Sequence, residues 1–111
     1  MQLRVDIGEV RFMVTKAAEP KVDFTTNAQK VDRRSGALLW QLQLMALDES
    51  GGEILTVVVD AEPIFRVGEF VQVEDLVAMP WSQGDRSGVA FRAGRISPLS
   101  GAKPVEPGKA A

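Results

Sequence analysis

The chain contains no cysteine, no histidine and no tyrosine. Without cysteine it has no disulfide framework, no thiolate zinc site and no sulfur nucleophile. Without histidine it lacks the commonest metal ligand and the usual general base near neutral pH. Ser-His-Asp hydrolysis and zinc-protease chemistry are therefore excluded. No apolar run approaches the roughly 20 residues of a membrane-spanning helix. The opening Met1-Gln2-Leu3-Arg4-Val5-Asp6 lacks the apolar stretch of a secretion signal. A soluble, cytoplasmic protein with no membrane partner is expected. Gly-rich phosphate loops and dinucleotide fingerprints are also missing. The acids Asp48, Glu49, Asp60 and Glu62 fit solvated turns better than a metal site. The expectation is a non-enzyme with no cofactor and no metal.

What is present suits one small domain. At 111 residues the chain is long enough to bury a core without covalent staples. Its net charge of −2 is unevenly spread: residues 1–47 carry seven Lys/Arg against five acids, whereas 48–75 carry eight acids against Arg66 alone. Residues 76–111 are net positive again. A basic pole built from the two ends, opposite an acidic middle, would orient a polyanion on one face.

The apolar pattern has the period of strands. Leu38, Trp40, Leu42, Leu44 and Ala46 fall on one face and Gln41 and Gln43 on the other. The turn residues Asp48-Glu49-Ser50-Gly51-Gly52 separate this run from the β-branched Glu53–Asp60, predicting a hairpin of 38–48 with 53–60. Residues 10–15 form a first strand with Phe12 and Val14 inward and Arg11 and Met13 outward. Residues 69–79 form a fourth, with Val71 and Val73 inward. Residues 88–96 form a fifth, with Val89, Phe91 and Ala93 inward and Arg92 outward. The segment 60–68 is too short and too proline-broken for more than one helical turn. Residues 16–36 show no clear period and read as a long loop, a length more usual for functional or mobile segments. No internal repeat or heptad pattern is evident. Residues 100–111, rich in Gly, Pro, Ala and Lys, read as a disordered tail after a barrel domain spanning 1–99. Five strands, a long first loop and no good helix predict an all-β, five-stranded Greek-key barrel of the OB type. An SH3-like barrel or an immunoglobulin-like sandwich are the alternatives.

Single-strand binding needs cations along a groove and flat side chains on which bases stack. OB barrels bind through their strand 2–3 face and through the 1–2 and 4–5 loops. Lys30, Arg33 and Arg34 fall in the long first loop, Arg86 in the last hairpin beside Trp81, and Arg11 and Arg92 outward on strands. Salt bridges to Glu74 or Asp60 are the alternative use of Arg11 and Arg92. Trp81 follows Pro80 in a polar hairpin and Phe24 lies in the polar loop, so both are candidate stacking platforms. Trp40 shares the inward parity of Leu42, which favours a core position over stacking. Gln41 and Gln43 are candidate hydrogen-bonding groups.

The stretches VRFMVT at 10–15, KVDRRSGALLWQLQLMALD at 30–48, and VGEFVQVEDLVAMPW with GDRSGVAFRAGRI within 67–96 resemble small accessory proteins of actinobacterial conjugative plasmids and integrative elements. Such proteins carry the label of replication, integration and excision activators. The layout is also similar to small phage single-stranded-DNA-binding proteins, which are dimeric OB barrels. The resemblance implies a single-stranded-DNA-binding accessory protein of a mobile element, supporting plasmid-type replication or conjugative transfer. It allows a homodimer and a partner such as a replication initiator, helicase or integrase. The alternative function is a protein–protein adaptor recruiting such a partner, and regulation of excision through double-stranded DNA ranks last. The net charge of −2 departs from the continuous basic track of a coating protein.

Overall fold

A computed structural model describes residues 2–99; the predicted tail, with Lys103 and Lys109, lies outside the described residues. The chain is all-β. Its strands are β1 (Leu3–Arg4), β2 (Arg11–Pro20), β3 (Trp40–Asp48), β4 (Gly51–Val59), β5 (Phe70–Glu74), β6 (Val77–Gln83), β7 (Arg86–Arg92) and β8 (Arg95–Pro98). They form one mixed sheet in the order β1-β6-β7-β4-β3-β2-β5-β8, an open ladder with β1 and β8 at its ends. Every pairing is antiparallel except β4 with β7.

The alternating apolar residues set which face is inside. Phe12 and Val14 from β2, Leu42 and Leu44 from β3, Val57 and Val59 from β4, and Val71 and Val73 from β5 make one core with Leu76 and Ala93. Each of the Phe, Leu and Val side chains among them removes apolar surface worth about 1.5–3 kcal/mol from water. Trp40, Phe65 and Phe91 pack against this core from its margins.

Eight strands replace the predicted five for identifiable reasons. The run 69–79 is not one strand, because after Val71 and Val73 the next inward position falls on Asp75. A carboxylate there would be buried without a partner, at high cost. Asp75 instead adopts a left-handed φ of 56° and Leu76, 2% exposed, takes the interior place. The chain therefore breaks into β5 and β6. Gly94 likewise separates β7 from β8, and β8 pairs with β5 on the far side. The predicted hairpin of 38–48 with 53–60 is present, running from Trp40↔Val59 to Asp48↔Gly51. Leu38, expected inward, lies before the strand and is 48% exposed, while Leu39 is buried. Val89, also expected inward, is exposed because the outer part of the β6–β7 hairpin extends past the core.

The stretch 16–36 is ordered and contains a repeat that the sequence reading missed. β2 continues to Pro20, with two register shifts against β3 after Val14. Then Lys21-Val22-Asp23-Phe24-Thr25-Thr26-Asn27-Ala28 and Lys30-Val31-Asp32-Arg33-Arg34-Ser35-Gly36-Ala37 follow in tandem. Each copy folds into the same tight loop. Asp23 N–H donates to Ala28 O and Asp32 N–H to Ala37 O (2.9 and 2.8 Å); Asn27 N–H donates to Asp23 O and Gly36 N–H to Asp32 O (2.7 and 2.8 Å). Thr25 and Arg34 amides cap the two aspartates, each at 2.8 Å. Asn27 and Gly36 occupy the same left-handed position (φ 62° and 76°), which these two residue types tolerate best.

Candidate nucleic-acid interface

The outward faces of four strands make one surface. Across the sheet, Val77 of β6 is opposite Arg92 of β7, Arg92 is beside Val58 of β4, and Val58 is opposite Gln41 of β3. Neighbouring strands lie about 4.8 Å apart, so Gln41 is about 10 Å from Arg92 on the same face. Gln43 is one row further along, opposite Thr56. The Thr15 hydroxyl donates to Gln43 Oε1 at 3.0 Å, which orients the amide and leaves its NH2 for a ligand.

The second tandem loop is pinned over the Arg92 end of this face. The Arg92 guanidinium donates to Asp32 Oδ2, and the Arg34 amide donates to Oδ1 of the same carboxylate. That arrangement holds the Asp32 carboxyl below its ordinary value, with the Arg92 hydrogen bond the largest cause and the Arg34 amide next. Asp23 in the first loop is lowered by the Thr25 hydroxyl and then by the Thr25 amide. Beneath the second loop lies a cleft of about 650 Å³ whose lining includes Lys30, Arg33, Arg34, Arg92, Asp32 and Asp75. Both acids have cationic partners, since Asp32 pairs with Arg92 and Asp75 lies 3.7 Å from Arg4. Among the described residues Lys30, Arg33 and Arg34 make no ion pair. The cleft thus gathers more cations than acids, an arrangement that attracts an anion.

The same face continues along the hairpin. With a regular register, Val77, Met79, Trp81 and Gln83 of β6 share a side with Arg92, Ala90, Gly88 and Arg86 of β7. Trp81 is opposite Gly88 and its ring covers it: a Cβ on Gly88 would sit 2.8 Å from the indole. Only glycine allows this approach. With one side on the backbone and 44% of its surface exposed, Trp81 is a held, open platform. Arg86 and Arg92 stand at opposite ends of β7, about 20 Å apart at 3.3 Å per residue.

The structure therefore brings Lys30, Arg33, Arg34 and Arg92 into one cleft and sets Gln41, Gln43, Trp81 and Arg86 on the same outward surface. It does not bring the remaining candidates there by packing. Arg11 lies 4.8 Å above the Phe70 ring, a cation–π contact at the start of β2. Trp40 is half-buried against the core. Phe24 is 95% exposed at the tip of the first tandem loop. Arg92 meets Asp32, not Glu74 or Asp60, and so positions the second tandem loop.

Sequence reasoning missed Asp32 as the seat of the loop and Gly88 as the bed of Trp81. The repeated Lys-Val-Asp triads, nine residues apart, were the available signal for the first. Nothing local signalled the second, because the contact depends on cross-strand register. Among the described residues no cluster of three or more acids, histidines or cysteines has the arrangement of a metal site. No helix there is long and apolar enough to cross a membrane. No family model, curated protein or solved structure matches the chain.

Proposed function

We propose that this chain is a single-stranded-DNA-binding accessory protein, and that the outward face of β3, β4, β7 and β6 is its binding surface. The observation that carries the reading is the continuity of that face. The loop cations Lys30, Arg33 and Arg34, which make no ion pair among the described residues, the amides of Gln41 and Gln43, and the open Trp81 ring lie on one side of one sheet. Phosphate-binding cations, edge-reading amides and an aromatic platform are the three elements that single-strand recognition uses.

An OB-type barrel is the fold we infer beneath it. The ladder runs β2-β3-β4-β7-β6, and only Asp75 and Leu76 separate β6 from β5, which pairs with β2 again. Taking β5 and β6 as halves of one bent strand returns the path to its start, as a five-stranded Greek-key barrel requires. In that reading the tandem loops are the 1–2 loop and the β6–β7 turn is the 4–5 loop. The mobile-element setting, in replication or conjugative transfer, rests on the resemblance of 10–15, 30–48 and 67–96 stated above. A replication initiator, helicase or integrase remains the expected class of protein partner.

The test is a titration with single- and double-stranded oligonucleotides at several salt concentrations. With Lys30, Arg33, Arg34 and Arg86 each neutralising one phosphate, log K falls against log salt with a slope near −3, from about −0.7 per contact. Tryptophan emission comes from Trp40 and Trp81 alone, and oligo(dT) quenches it through Trp81. Absence of binding at about 50 mM salt, or equal affinity for duplex, refutes the reading. The second outcome would favour the excision-regulator role, the first the adaptor.

A further inference from the structure

The tandem loops share a scaffold and differ at their tips. Lys, Val, Asp, a hydroxyl residue, a left-handed residue and Ala recur in register. The positions that follow each aspartate diverge in chemistry, Phe24-Thr25 in the first copy and Arg33-Arg34 in the second. Everything needed to build the loop is retained; what changes is what the loop displays.

Both loops also leave the sheet from one junction. Lys30 N–H donates to Lys21 O (2.7 Å), Leu39 N–H to Lys30 O (2.9 Å), and Lys21 N–H to Leu39 O (3.0 Å). These three residues, nine apart, close a ring of main-chain hydrogen bonds at the base of the pair. Two loops of the same geometry thus spring from one ring. The Phe24 ring contributes nothing to the core, since it is 95% exposed, yet its backbone is held by the Asp23 cap on Thr25. Holding a large apolar ring in water on an ordered turn has a cost and no structural return.

We infer that the two loops are fingers of one grip, in which Phe24 stacks on a base while Arg33 and Arg34 hold adjacent phosphates. This rests on the single-strand reading above and extends it to a division of labour between the copies. An aromatic tip on its own would suit a protein groove equally. The neighbouring finger decides for a polyanion, because its cations Lys30, Arg33 and Arg34 make no ion pair among the described residues. A strand carrying both bases and phosphates is the ligand that engages the two tips together.

The experiment compares two probes of about twelve units, oligo(dT) and an abasic sugar–phosphate strand of the same length. Phe24→Ala weakens oligo(dT) binding about tenfold or more, the worth of one stacked base, and leaves the abasic strand unchanged. Phe24→Trp restores the affinity and adds an emission that oligo(dT) quenches. Arg33→Ala with Arg34→Ala weakens both probes and makes the salt slope shallower by about 1.4. Phe24→Ala that spares both probes, or weakens both equally, overturns the finger assignment. If the unaltered protein binds neither probe, the single-strand reading fails and the finger assignment falls with it. If it binds oligo(dT) and ignores Phe24, only the finger assignment fails, and the ring is left to a protein partner.

Discussion

The base and the tip of the β6–β7 hairpin are made by one uninterrupted register, yet they obey different rules. At the base, Val77 and Arg92 join the sheet beside β1 and β4, with Leu76 buried just behind them. From Pro80 to Val89 nearly every residue is exposed and the ribbon has no further strand on either side. The base is held by core burial. The tip is held by its own ladder and by one aromatic ring lying on one glycine. The comparison teaches that the anchoring of the site and its reading surface draw on separate sources of stability, so each can be altered without the other.

The largest expected effect tests the base. Leu76→Ala leaves a cavity among fully buried neighbours and costs about 2–5 kcal/mol, measured by denaturant unfolding. Val89→Ser at the tip changes the same measurement by no more than about 0.5 kcal/mol. Equal losses at the two positions would mean that the hairpin unfolds as one unit with the core.

A middle-sized effect tests the bed of Trp81. Gly88→Ala forces the indole off the backbone, since the new methyl would overlap the ring. Trp81 emission shifts to the red and its quenching by oligo(dT) falls, while the melting temperature moves by only a few degrees. Unchanged emission would show that the ring does not rest where the geometry puts it.

The smallest effect is in pH dependence and belongs to the loops. Asp23, Asp32 and Asp48 are all held below the ordinary value of 3.8 by hydrogen bonds made in the folded state. Lowered folded values mean that their stabilisation is complete above the unfolded value and disappears as pH falls through the folded ones. Thermal stability is therefore flat from neutral pH to about 5 and declines below about 4. Asp32→Ala lowers the neutral melting temperature slightly, makes that acid decline shallower, and speeds exchange of the Arg34 amide, which loses its acceptor. An acid decline as steep as before would assign it to other carboxylates.

Much of the sheet was legible because burial imposes a period of two. Leu42, Leu44, Val57, Val71 and Val73 are inward as their alternation requires. The β3–β4 hairpin was legible from turn residues between two apolar runs. The break at Asp75 was not, although its signal was present: the inward phase moves from odd to even positions between Val73 and Leu76. Alternation was extended across a residue that physics would not bury. The candidate cations Lys30, Arg33, Arg34 and Arg92 were legible as charges off the core face, but their assembly into one cleft depends on the Asp32 carboxylate. Sequence pattern offers no signal for such a pairing across sixty positions of chain. The tandem loops escaped because strand and helix periods are short, and a nine-residue recurrence of Lys-Val-Asp belongs to neither.

The prolines on the sheet's rims have a consequence for crowding. On the single-strand reading proposed for this chain, one DNA strand would gather many copies at high local concentration, where exposed strand edges would zip together. Pro98 ends β8, and Pro80 sits in β6 where β1 no longer covers it, so each rim lacks a backbone donor where a foreign strand would need one. β1 is only two residues long and presents almost no template. On the single-strand reading, neighbouring copies would therefore find little to pair with at these two rims, and contacts made there would be between side chains.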